Sequence, residues 1–80
     1  MKFLFAFIDA KDIPSYEKLG FNVEIDDEYN QVFYAEKDLS TADNETVLAI
    51  IDDCDREGLY ISLDYNSKLY DGEVAKNFFK

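Results

Sequence analysis

The chain has 80 residues, of which 48% are hydrophobic and thirteen aromatic (seven Phe, six Tyr), and 18 acidic residues against eight basic ones give a net charge of −10. That apolar content is too high for a disordered acidic tail, and the length suits one modest domain that buries about 60% of the surface its unfolded form exposes. No stretch approaches the roughly 20 apolar residues of a membrane helix, and the charge is repelled by nucleic acid and anionic lipid alike, which argues against direct binding to either.

Lys2 to Ile8 places Phe3, Phe5 and Phe7 on one face and Leu4, Ala6 and Ile8 on the other, the pattern of a central strand buried on both sides. The apolar run from Phe3 is short and lacks the small-residue cleavage pattern of a secretory signal, which favours the strand. Asp12-Ile13-Pro14 predicts a helix start, with Asp12 or Ile13 near the cap, Pro14 in the first turn and Gly20 as the stop. Phe21, Val23 and Ile25 alternate with Asn22, Glu24 and Asp26, which predicts a half-exposed strand with a partly acidic outer face. Asp27-Glu28-Tyr29-Asn30 reads as a turn and Gln31 to Lys37 as the returning strand of a hairpin.

Ser40 or Thr41 is expected to cap a central helix in which Val47, Ile50, Ile51 and Cys54 form an apolar stripe. Glu45, Asp52, Asp53 and Arg56 then point the opposite way, and Gly58 ends the helix. Leu59, Ile61, Leu63 and Tyr65 alternate with Tyr60, Ser62 and Asp64 as a fourth strand. Beyond Asn66, the positions Tyr70, Val74, Phe78 and Phe79 are expected to line one side of a final helix, against which Gly72 weighs. The order β-α-β-β-α-β plus a tail predicts an α+β split βαβ, ferredoxin-like sandwich: an antiparallel sheet of about four strands with two or three helices over one face. No repeat, linker or low-complexity segment divides residues 1–80, which read as one acidic domain.

Histidine is absent, so neither a Ser-His nor a Cys-His nucleophile pair can form, and Gly20, Gly58 and Gly72 are too isolated for a phosphate loop. The expectation is a non-enzymatic protein with no catalytic residues and no cofactor. Cys54, the only cysteine, cannot make an internal disulfide, which suits a reducing cytoplasm. It lies on the apolar stripe beside Asp53 and Asp55, whose charges disfavour a thiolate, so it reads as core.

The run from Asp53 to Gly58, followed by Asp64, approximates a calcium loop. Glu57 and Asp64 depart from the ligand pattern, however, and Leu59 to Tyr65 alternates like a strand, so no metal site is expected. The adjacent carboxylates of Asp26 and Asp27 read as a solvated turn in preference to an acid/base pair or magnesium ligands. Phe3, Phe5 and Phe7 invite comparison with the base-stacking aromatics of RNA-recognition modules. Gln31 to Lys37 lacks the Arg/Lys-Gly-aromatic motif of those modules, and the charge would repel phosphate. These phenylalanines are expected in the core, or covered by Phe78 and Phe79 or by a second subunit.

The charge is unevenly placed. Asp9, Asp12 and Glu17 are matched by Lys2, Lys11 and Lys18, and Asp64, Asp71 and Glu73 by Lys68, Lys76 and Lys80, so the whole excess lies between Glu24 and Glu57. Four of those acids, Asp52, Asp53, Asp55 and Glu57, crowd the negative end of the central helix, where each costs about 0.3–1 kcal/mol. Solubility alone would not require that placement.

In size and clustered charge the chain resembles, as a class, the acidic nucleic-acid mimics with which phages disable nucleases, restriction enzymes and CRISPR complexes, and the acidic immunity proteins that plug toxic nucleases. The resemblance implies a protein partner with a basic nucleic-acid-binding surface. Glu24, Asp26, Asp27, Glu28, Glu45, Asp52 and Asp53 would stand in for phosphates, with Tyr29 or Tyr60 as anchors. The alternative is a non-catalytic structural or regulatory module that forms a homodimer through its sheet, its acids serving only solubility.

Overall fold

The computed structural model describes residues 1–79. Strand β1 (Lys2–Asp9) runs through a 3-10 turn into helix α1 (Ile13–Lys18). Strands β2 (Asn22–Asp27) and β3 (Val32–Asp38), helix α2 (Asn44–Arg56), strands β4 (Ser62–Tyr65) and β5 (Lys68–Asp71) and helix α3 (Gly72–Phe78) follow. The class is α+β, as the alternation of periods predicts. The sheet has five antiparallel strands in the order β2-β3-β1-β4-β5, one more than the sequence suggests.

The period-two pattern of β1 decides where the core sits. Leu4, Ala6 and Ile8 are buried, and across the ladder Leu4 faces Leu63 while Ala6 faces Ala35. Tyr16 of α1, Val47, Ile51 and Cys54 of α2 and Ala75 of α3 join them in one hydrophobic cluster, so all three helices cover the same sheet face. Burying a side chain such as Leu4 or Leu63 contributes about 1.5–3 kcal/mol. Tyr16 also ties α1 to the segment before β4, its hydroxyl donating to the Tyr60 carbonyl, while its ring meets Phe21 edge-on at 5.4 Å.

β1 is central, but it is not buried on both sides. Phe3 and Phe5 are half-buried and Phe7 is 58% exposed, because the second sheet face has no layer over it. Phe78 and Phe79 do not supply one. They pack with Tyr65 and Tyr70, whose register with Lys2 and Leu63 puts them on the helix-covered face.

Helix α2 starts later than Ser40 or Thr41. Asp38 accepts the Ser40 N–H at 2.8 Å, Leu39 donates its N–H to the Lys2 carbonyl, and the Lys2 ammonium caps the Ala42 carbonyl at 2.7 Å. These bonds hold Leu39 in the core and leave Asp43 as the cap, accepting the Thr46 N–H at 2.7 Å. The expected stripe is otherwise present: Val47, Ile51 and Cys54 are buried and Ile50 half-buried. Gly58, at φ +70°, closes the helix in a Schellman turn, its N–H on the Asp55 carbonyl and that of Leu59 on the Cys54 carbonyl.

The expected final helix is in fact a strand followed by a shorter helix. Asn66 and Ser67 both have positive φ, as a two-residue hairpin turn requires. Tyr70 therefore belongs to β5, and α3 begins at Gly72, capped by Asp71. A Cβ at Gly72 would lie 3.2 Å from the Ile61 carbonyl oxygen, so a small residue lets α3 sit against that segment. Among the described residues, no helix is long and apolar enough to cross a membrane.

Candidate functional site

The uncovered sheet face carries the exposed aromatic surface. By register, the side chains sharing it include Phe3, Phe5, Phe7 and Asp9 of β1, Asn22 and Glu24 of β2, Val32, Tyr34, Glu36 and Asp38 of β3, Ser62 and Asp64 of β4 and Leu69 and Asp71 of β5. Phe7 and Tyr34 are cross-strand partners with ring centroids 5.3 Å apart, and Phe5 lies 6.3 Å from Phe7 and 6.1 Å from Tyr34. Glu24 stands opposite Tyr34 on one side, and Asp64 stands opposite Phe3.

The Tyr34 hydroxyl donates to Glu36 Oε2 at 2.7 Å. Burial raises the Tyr34 phenol above its ordinary value, reinforced by the hydrogen bond to Glu36 and by the charges of Glu36, Asp64 and Glu24. The hydroxyl thus stays protonated and orients a carboxylate beside the rings. A cavity of about 410 Å³ borders Tyr34 and is lined by Glu17, Glu24 and Glu36. A second, of about 240 Å³, borders Phe7 and is lined by Asp9, Asp12 and Tyr60.

The sequence-derived contact residues fall in two places. Glu24 lies on the open face, and Asp26, Asp27, Glu28 and Tyr29 extend from it at the β2–β3 turn, where Tyr29 is 93% exposed. Asp27 is engaged within that turn, accepting from the Asn30 side chain at 2.8 Å and its N–H at 3.1 Å, which lowers its pKa. Glu45, Asp52 and Asp53 stand on α2, in the layer behind the sheet. The two groups thus belong to different layers of the fold.

The ion pairs fall outside the first group. At the end of α2, Asp53 pairs with Arg56 at 2.9 Å, Asp55 with Lys76 at 3.2 Å and Glu57 with Lys18 at 3.5 Å. Two of those cations come from the neutral flanks. Such exposed pairs contribute little stability, but they offset the charges of Asp53, Asp55 and Glu57. No ion pair among the described residues reaches Glu24, Asp26, Glu28, Glu36 or Asp64. Glu45 and Asp52 of α2 are likewise without an ion pair among the described residues, so what sets the open face and hairpin apart is that their unpaired acids stand beside exposed aromatic rings.

Phe5, Phe7, Tyr34, Glu36 and Asp64 are not among the contact residues read from the sequence. The alternation of Tyr34 and Glu36 in β3 was visible, but which face the helices would cover was not. Cys54 is fully buried, its thiol pushed up to about 11 by burial and then by the Asp53 charge. The calcium-like run is the end of α2 followed by the approach to β4, a helix-to-strand passage. No family model, curated protein or solved structure matches the chain.

Proposed function

We propose that the protein is a non-enzymatic acidic inhibitor that occupies the basic nucleic-acid-binding surface of a protein partner in the cytoplasm, as phage anti-CRISPR, anti-restriction and nuclease-inhibitor proteins do. The observation that carries this reading is the group of unpaired carboxylates, Glu24, Asp26, Glu28, Glu36 and Asp64, around an exposed aromatic patch. Carboxylates meet the lysines and arginines that ordinarily hold phosphates, and aromatic rings supply the desolvated contact that charge alone lacks. We further read the fold as a ferredoxin-like sandwich extended by β5 and α3, a reading supported by the order β2-β3-β1-β4. A homodimer through the open face is disfavoured, since it would set one acidic rim against another.

The test uses the partner retained from a host lysate and then purified. Glu24→Lys with Glu28→Lys changes two exposed positions at the sheet edge and turn, and Asp52→Lys with Asp53→Lys makes the same net change on α2. Affinity at low salt should fall about tenfold or more for the first pair and much less for the second. Equal losses for both pairs, or none for either, would overturn the reading.

A further inference from the structure

We infer, building on the acidic docking proposed above, that the open face takes arginine and not lysine side chains from its partner. The guanidinium stacks on the Phe7–Tyr34 wall, with Glu24 and Glu36 as its acceptors. The two rings meet at 50° with centroids 5.3 Å apart, and Phe7 is 58% exposed, so one aromatic face is open to an incoming group. Phe5 braces Phe7 edge-on, at 80° and 6.3 Å, which fixes the orientation of that platform. A cation within about 6 Å of a ring centroid is attracted by the ring's negative face.

The acids stand where a stacked guanidinium would direct its N–H groups. Glu24 is the register partner of Tyr34, and Glu36 is two residues along the same strand on the same face. The Tyr34 hydroxyl already holds Glu36 Oε2, leaving the other oxygen to an incoming donor. A planar guanidinium can stack and donate sideways at once, and it sheds water readily. An ammonium is a compact, strongly hydrated point charge that does neither.

The occupant is not a second copy of this chain. By register, Lys2, Lys37 and Lys68 lie on the helix-covered face, and the strands place no lysine or arginine on the open one among the described residues. Nucleic acid is excluded by like charge. A cationic protein surface complements the face, and the exposed rings select arginine within it.

The experiment is isothermal titration of the full chain with an oligoarginine and an oligolysine peptide of equal length, at low salt. The wild type should bind oligoarginine about tenfold more tightly. Phe7→Leu keeps an apolar side chain but removes the ring, so it should weaken oligoarginine binding much more than oligolysine binding and erase most of that preference. Its thermal melt confirms that the variant is folded. Equal affinities on the wild type, or a preference that survives Phe7→Leu, would overturn the arginine assignment alone. Binding of neither peptide would overturn the acidic docking reading with it.

Discussion

Tyr34 and Glu36 are joined on the open face of β3 by a 2.7 Å hydrogen bond from the phenol to the carboxylate. The bond makes an aromatic platform and an oriented acceptor into one unit. Burial makes the phenol reluctant to ionise, and the bond to Glu36 and the charges of Glu36, Asp64 and Glu24 add to that reluctance.

That reluctance has a stability consequence with a definite sign. A phenol whose folded pKa is raised contributes stability that is fully present below its ordinary value of 10.0 and is lost as the pH rises through the folded value. Tyr16, raised chiefly by burial and then by Asp12, adds to the same alkaline loss. Tyr34→Phe should therefore flatten the fall in melting temperature above pH 10, and ultraviolet titration should lose its most resistant tyrosine. An unchanged titration curve would contradict the Tyr34 environment.

At the acid end the caps act in the opposite direction. Asp43 is held below its ordinary 3.8 mainly by the Thr46 N–H, and Asp38 by Ser40. Depressed carboxylates contribute stability above the unfolded value that fades as the pH falls through the folded one. Asp43→Ala should lower the melting temperature at neutral pH. Asp43→Asn, which keeps an accepting oxygen, should lower it less and weaken the loss below pH 4. Thermal melts over pH 2–7 check both, and identical behaviour of the two variants would contradict the cap.

The two faces of β1 make a sharp contrast in cost. Leu4 is fully buried, so Leu4→Ala should destabilise by about 2–5 kcal/mol in urea unfolding. Phe7→Ala removes a larger side chain but from an exposed position, and should cost only about 1 kcal/mol through lost cross-strand contacts. Similar costs at the two sites would mean that the open face is covered in solution.

That contrast marks where the sequence stopped being informative. Alternation located β1, β2 and β3, and the stripe of Val47, Ile51 and Cys54 located α2 and its inner side, because both are local periodicities. Asn66-Ser67 carried too little turn signal without a glycine, so β5 merged with α3 into one imagined helix. Burial of both faces of β1 was a tertiary question. Phe3, Phe5 and Phe7 are as apolar as Leu4 and Ile8, and only the placement of three helices on one side exposes them. For the same reason the charge excess between Glu24 and Glu57 was legible, but the pairing of Glu57 and Asp55 was not, since Lys18 and Lys76 arrive from distant segments.

The most direct test of the account is competition for the purified partner. A labelled nucleic acid bound to the partner is titrated with this protein, and fluorescence anisotropy follows its release. Full displacement at low salt, weakening markedly as salt rises and impaired by Glu24→Lys with Glu28→Lys, is the predicted result. A stable ternary complex, in which the partner holds the nucleic acid and this protein together, would contradict it.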